Sequence, residues 1–377
     1  DEAKRNRDAL CLEPVRDEQM DYVMLKDVCT INMGQSPASD SYNDEGEGVP
    51  FFQGNADFGD RYPITRKWCS APTKMAMADD ILISVRAPIG AMNYAKEACC
   101  IGRGLAALTP NKSKVSPEFI FWCLKGKNHE LNSKGTGSTF KAIGRKVLEE
   151  TLIPNVPLEK QKKYSDILKK VYAIIQMHQH QLQQLDFLVQ SRFVEMFGSE
   201  LEFNKWPCCT IGDVAEVCVG VVIKPTQYYA EEGIPAFRSL NIGAMKVKDS
   251  DWVYFTEEGH EKNQKSVVRT NDVLVVRSGA PGTACVATEH YNGYNAVDII
   301  IAHPNQQKVN SIFLAAFTNM PHGMNQIKRR IGGAAQQHFN VGGYKAMTLI
   351  LPPLELQNQF AAFVAKTDKS KLILCLP

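Results

Sequence analysis

Apolar and polar positions along the chain fall into three kinds of pattern. Short apolar runs bounded by Gly, Pro and Asn recur through much of the length, as in Asp80-Ile-Leu-Ile-Ser-Val85 and Asp272-Val-Leu-Val-Val276. Runs that short between turn residues predict buried strands. Pro117-Glu-Phe-Ile-Phe-Trp-Cys-Leu124 and Ser311-Ile-Phe-Leu-Ala-Ala-Phe317 predict short helices. The third pattern is a long periodic stretch. From Leu158 to Phe197 there is no Pro or Gly, and apolar residues recur at Tyr164, Ile167, Val171, Ile174, Leu182, Leu185, Val189, Phe193 and Met196. Steps of three and four predict one helix of about 40 residues, roughly 60 Å long, stopped at Gly198. The step through His178 is four plus four, a stutter. A single apolar stripe on such a rod calls for a partner helix.

These patterns occur twice. Leu25-Lys-Asp-Val28 returns as Ile211-Gly-Asp-Val214, and Val49-Pro-Phe-Phe52 as Ile234-Pro-Ala-Phe237. Asp80–Gly90 returns as Asp272–Gly282, and Leu152–Gln161 as Leu349–Gln357. Four matches in one order mark a tandem duplication of a unit of about 190 residues. Each copy closes with Pro-Leu-Glu-x-Gln, which suits a helix start because Pro fits the first turn and Glu the positive end of the dipole. In the second copy Phe360, Phe363 and Val364 take the places of Tyr164, Ile167 and Leu168. Thr367, Ser370 and Lys371 then stand where Val171, Ile174 and Ile175 stood. The second helix is therefore expected to be shorter by some twenty residues. The expected division is an unassigned leader (1–20), a β-rich unit (21–157), a spacer helix (158–197), a second β-rich unit (198–352) and a shortened helix (353–377). The fold class is α+β.

Composition narrows the class of function. The chain has 377 residues, and Lys+Arg 43 against Asp+Glu 41 leaves a net charge of +2, which argues against a grip on nucleic acid by bulk charge. Eleven cysteines without a C-x-x-C pair read as reduced, mostly buried thiols of a cytosolic protein. The adjacent pairs Cys99-Cys100 and Cys208-Cys209 point to opposite faces if they lie on strands. No apolar run approaches the ~20 residues that span a bilayer. Catalytic signatures are missing from the sequence. The Pro-Pro of Leu351-Pro-Pro-Leu354 has no preceding amide for a flipped adenine, and no G-x-x-x-x-G-K-[ST] loop occurs. Gly102-x-Gly104 is too short for a dinucleotide fingerprint. His178 and His180, two apart on a helix, cannot share a metal.

The ordered set of motifs, present twice, resembles the specificity subunit of type I restriction-modification systems. The set includes Gly34-Gln-Ser-Pro37, Asp80–Gly90, Ile101-Gly-Arg-Gly-Leu105 and Gly135-Thr-Gly-Ser-Thr-Phe-Lys141. The likeness runs from about Tyr22 to Ser370. It implies two target recognition domains, each reading half of a split DNA site. It also implies an antiparallel coiled coil, with Ile167, Val171, Ile174, Leu182, Leu185, Val189 and Phe193 as its seam, that spaces the domains and docks methyltransferase subunits. The implied chain is non-catalytic and cytoplasmic. Its partners are double-stranded DNA, methyltransferase subunits using S-adenosylmethionine, and translocase/nuclease subunits using ATP and Mg. The chain departs from the pattern in its short second helix and in Gly332-Gly-Ala-Ala-Gln-Gln-His338, which replaces the Gly-Thr-Gly-Ser-Thr stretch.

DNA reading takes phosphate anchors together with donors and acceptors aimed at base edges. The candidates in the first unit are Arg61, Arg66, Lys67 and Lys74, then Thr136, Ser138, Thr139, Lys141 and Arg145. Those in the second are Lys246 and Arg269, then Lys328, Arg329 and Arg330 running into Gln336, Gln337, His338 and Asn340. Gln53, Asn55, Arg238 and Asn241 rank second, and Arg86 and Arg277 either anchor a phosphate or brace a turn. Two other functions fit the same residues: the recognition half of a fused restriction-methylation enzyme, and a scaffold that pairs with itself through the exposed seam of 164–196. Lys4-Arg-Asn-Arg7 belongs to the leader and matches neither copy.

Overall fold

The computed structural model describes residues 21–137, 141–199, 205–331 and 338–375, with backbone alone for 372–375. The leader, residues 1–20, lies outside them. The chain divides into two compact units, Asp1–Ile175 and Gln176–Pro377, each built of helices and sheets. The boundary falls inside the long helix.

In the first unit strand β1 (Tyr22–Met24) pairs antiparallel with β8 (Leu152–Pro154), so the body of the unit is strung between two neighbouring strands. The main sheet has the order β2-β7-β4-β5, formed by Cys29–Met33, Leu105–Pro110, Ile81–Ser84 and Met92–Tyr94. A second, mixed sheet contains β3 (Val49–Phe52) parallel to β6 (Cys99–Ile101). The run Ile81–Ser84 is apolar throughout because both its faces are covered. Ile81 and Ile83 pack with Leu108, Phe119 and Leu124 on the helical side, and Leu82 packs with Leu105 of its own sheet and with Phe52 and Ile101 of the other. Cys99 and Cys100 do face opposite ways, one into each of two clusters. All cysteines among the described side chains are free thiols.

The second unit repeats this plan. Strand β9 (Cys208–Thr210) pairs with β16 (Thr348–Ile350). The main sheet runs β10-β15-β12-β13, formed by Ala215–Val219, Ile299–Pro304, Val273–Val276 and Ala284–Val286. Strand β11 (Ile234–Phe237) lies parallel to β14 (Asn295–Ala296). The helices are α1 (Pro117–Gly126), α2 (Arg145–Glu149), α3 (Leu158–Phe197), α4 (Ser311–Asn319), α5 (Pro321–Arg330), α6 (Val341–Lys345) and α7 (Leu354–Cys375). No helix among the described residues is long and apolar enough to cross a membrane.

Helix α3 has the predicted bounds. Gly198 ends it at φ 89°, and its N–H donates to the Val194 carbonyl at 2.8 Å, a left-handed stop that glycine takes without strain. In the second unit α7 packs along the last turns of α3. Phe360 meets Phe193, the Arg192 guanidinium lies 5.6 Å from the Phe363 ring centre, and Lys371 reaches Asp186 at 2.8 Å. One set of numbers rises as the other falls, so the two helices are antiparallel.

The seam differs from the expectation in two ways. Val189 and Phe193 are buried, but Ile167, Val171 and Ile174 are about half exposed. The first turns of α3 instead turn Gln161, Ser165 and Tyr172 toward their own unit. Gln161 and Ser165 are buried, and Tyr172 stands edge to face with Trp122 under the Lys125 ammonium, 3.9 Å from its ring centre. Polar anchoring therefore chose the face, and the apolar stripe was left outside. The second difference is in α7, where Thr367 and Lys371 do not end the pairing. Thr367 is buried, and the Lys371 ammonium serves both Asp186 and Asp368.

Candidate nucleic-acid interface

In the first unit the glycine-polar loop is pinned to the end of β4. Thr136 and Ala142 exchange backbone hydrogen bonds at 3.0 and 2.9 Å, closing the loop at its neck. Ala142 then bridges Arg86, the Ala87 N–H donates to the Lys141 carbonyl, and the Ile143 N–H to the Val85 carbonyl. Thr136, Lys141 and Arg86 thus meet at one exposed edge. Ser138 and Thr139 lie outside the described residues. Arg103, which the sequence reading passed over inside Gly102-x-Gly104, stands at the same edge. It lines a notch together with Gln53, Gly54, Asn55, Ser84 and Arg86.

Several of the other basic candidates are occupied. Arg61 pairs with Glu118 at 2.5 Å and stacks 4.9 Å from the Tyr94 ring centre, so it braces α1 against β5. Arg66 donates to the Ala56 carbonyl at 3.0 Å. Arg145 is tied to Glu149 one turn on, at 2.7 Å. Such exposed pairs are weak, about 0.3–0.5 kcal/mol on a helix, and yield readily to a phosphate. Lys67 and Lys74 are exposed, with their carbonyls used by Phe51 and Ile101.

The second unit holds the matching place with side-chain bonds as well as backbone ones. The Phe339 N–H donates to the Arg277 carbonyl, and the Arg277 side chain returns a bond to the Phe339 carbonyl at 3.2 Å while pairing with Asp298 at 2.6 Å. Arg277 is therefore the brace. His338 Nδ1 lies 2.7 Å from Ser278 Oγ. Gln336 and Gln337 lie outside the described residues.

Two candidates are engaged within the unit. Asn340 is the N-cap of α6, its side-chain Oδ1 accepting the Gly343 N–H at 2.7 Å. Arg330 donates to the Gln326 and Ala346 carbonyls at 3.1 Å, tying α5 to the end of α6. Both spend side-chain polar atoms on backbone groups of their own unit. Lys328 and Arg329 point outward from the same helix, and Lys246 and Arg269 are exposed elsewhere on the unit. Of the second-rank residues, Arg238 donates to the Asp251 carbonyl, and fully buried Asn241 bonds the Ser250 carbonyl.

The polar cluster away from these edges is Cys218, His303 and Asp272, placed by register on three adjacent strands or their ends. His303 Nδ1 lies 2.6 Å from Asp272 and its Nε2 3.6 Å from Cys218 Sγ. The hydrogen bond to Asp272 raises the imidazole to about 9, so the pair is an internal salt bridge at neutral pH. No group of three or more His, Cys, Asp or Glu side chains among the described residues is placed to hold a metal ion.

Known proteins share this arrangement. A family model described as the type I restriction modification DNA specificity domain matches residues 17–186 and again 204–374. A type I restriction enzyme MjaX specificity subunit of Methanocaldococcus jannaschii is 46% identical over 156 residues, which cover 41% of this chain and 37% of that one. The chain thus spans well under half of that relative's length. The EcoBI specificity subunit of Escherichia coli is 20% identical over 370 residues, 89% of this chain and 77% of its own. The crystal structure of a type I restriction-modification S subunit from M. genitalium superposes with a TM-score of 0.54. It has 14% identity and covers 95% of this chain and 92% of that one, a likeness of fold.

Proposed function

Because this chain belongs to the type I restriction-modification DNA specificity family, we propose that it supplies sequence recognition to such a complex, each unit reading one half of a bipartite site. The observation that carries this reading is the repeated placement of a loop. In both copies the segment that follows a glycine-rich polar stretch is hydrogen-bonded to the end of the central strand, at Val85 and Ala87 on either side of Arg86 and at Arg277. A fixed sheet that presents a different loop in each copy is what reading two different half-sites requires.

In this reading the chain performs no chemistry itself. Methyltransferase subunits bring S-adenosylmethionine, and translocase/nuclease subunits bring ATP and Mg. The half-exposed stripe of Ile167, Val171 and Ile174 supports docking of a partner on α3, since an apolar row of that length is seldom left in water. The test is to co-express the chain with its methyltransferase partner and map methylated bases across a genome. One split motif, lost when the loop at 134–141 is exchanged in its first half only, is the expected result. Methylation without sequence preference would refute the reading.

A further inference from the structure

The two units differ in charge at the exposed end of their central strands. In the first unit the antiparallel ladder of β4 and β7 sets Ser84 opposite Leu105, and the Val85 N–H continues it to the Gly104 carbonyl at 2.9 Å. Arg86 follows Val85, and Arg103 precedes Gly104 in the turn that the Leu105 N–H closes on the Gly102 carbonyl at 3.0 Å. In the second unit the ladder of β12 and β15 sets Val276 opposite Ile299. There Arg277 takes the place of Val85 and pairs with Asp298 at 2.6 Å, while Ser278 takes the place of Arg86. The second unit pairs its one arginine internally here, and the first leaves two exposed.

Like charges brought to one site repel each other. Both first-unit arginines are exposed, and among the described residues neither guanidinium has an ion-pair or hydrogen-bond partner. They open into a notch whose other walls are Gln53, Gly54, Asn55 and Ser84. The walls are held in place. Ser84 Oγ donates to the Arg86 carbonyl at 2.8 Å. A side chain at Gly104 would come within 2.4 Å of the Gln53 carbonyl oxygen, so glycine lets the 53–54 turn lie against the strand. Asp57, the acidic group of the notch, is turned away from the arginines and accepts the Gln53 N–H at 2.8 Å and the Gly54 N–H at 3.3 Å.

We propose that Arg86 and Arg103 form a phosphate clamp on the DNA backbone that the second unit lacks. The proposal rests on the DNA-recognition reading above. Two guanidinium forks around one concave site suit a phosphodiester, whose negative charge also relieves their mutual repulsion. The first unit would then hold its half-site with anchors the second replaces by an internal bond. Grip on the backbone would be unequal across the split site.

The test measures DNA binding by the full chain with its methyltransferase partner over a range of salt. Each phosphate contact contributes about 0.9 to the slope of log K against log [salt]. The double variant R86Q/R103Q should lower the slope by roughly 1 to 2, weakening all sequences alike, while its unfolding midpoint holds or rises. The matched variant R277Q should do the reverse, lowering the unfolding midpoint and leaving the slope alone. An unchanged slope in R86Q/R103Q would overturn the clamp, and so would loss of preference at one base pair, which marks a guanine contact instead. Inorganic phosphate should compete no better than chloride at equal ionic strength. If it displaces DNA specifically from the wild type but not from the double variant, the site is one for free phosphate. A wild-type complex without sequence preference counts against the functional reading, and the slope still decides the clamp.

Discussion

The Gln161 side-chain oxygen accepts the backbone N–H of Ser116 at 2.8 Å, and Gln357 does the same for Asn310 at 2.9 Å. Ser116 and Asn310 are the residues that open α1 and α4. The amide nitrogen of each glutamine returns to the loop before its own helix, to Val156 and Pro352, both at 2.8 Å. The last residue of the Pro-Leu-Glu-x-Gln motif is therefore a buried clamp in both copies, 2% and 0% exposed.

Replacing either glutamine by leucine keeps the bulk and removes both partners. Each replacement should cost roughly 2 kcal/mol or more, since a buried backbone N–H and at least one carbonyl lose their bonds. Urea unfolding of the single variants, followed by tryptophan fluorescence, measures this. A change below about 0.5 kcal/mol would show that the clamp is incidental.

The aromatic group that joins α7 to α3 predicts a contrast. Phe193 lies 5.4 Å from Phe360 and 5.6 Å from Phe313 between ring centres, and is 1% exposed. Phe193→Ala should destabilise the second unit by about 3–5 kcal/mol. Ile174→Ala on the uncovered stripe should stay within about 0.5 kcal/mol. Thermal unfolding distinguishes them, and similar losses at both sites would mean the stripe is buried in solution.

The His303–Asp272 pair makes the second unit sensitive to alkali. A histidine raised to about 9 by its carboxylate partner contributes stability that is full below the unfolded value of about 6.5 and is lost as pH rises through about 9. The unfolding midpoint of the wild type should fall across that window, and that of His303→Gln should be lower but flatter. Parallel curves would remove His303 from the account.

Asn340→Ala should cost about 0.5–2 kcal/mol as a lost N-cap, and Asn340→Asp should restore most of it. Neither change should alter which bases are methylated. A shift in the methylated motif would return Asn340 to the list of base readers.

Periodicity made much of the fold legible, and the limits lie where residue type underdetermines partner. The bounds of α3 and the duplication could be read because apolar spacing and order survive any rotation of side chains. The buried face of α3 could not. Tyr164, Ile167 and Val171 make the better apolar stripe, but Gln161, Ser165 and Tyr172 find the partners. The same ambiguity runs through the candidate interface. An asparagine that caps a helix and one that reads adenine look identical in sequence, and the cap at Asn340 shows only in the structure. Arg330 and Arg277 were equally ambiguous, since the carbonyls they hold arrive from distant segments. Arg103 was legible in principle. Aligning the copies from the flanking strands sets Arg103-Gly104 against Asp298 alone, and a change of charge between repeats is a signal that motif searching does not weigh.

The pairing of β1 with β8, and of β9 with β16, puts the entrance and exit of each unit side by side. Whatever is spliced between such a pair of strands leaves the frame undisturbed. If each unit reads a half-site as proposed, a crossover between two related genes at these strands would exchange that half-site in one event, with the helices and whatever docks on them kept intact.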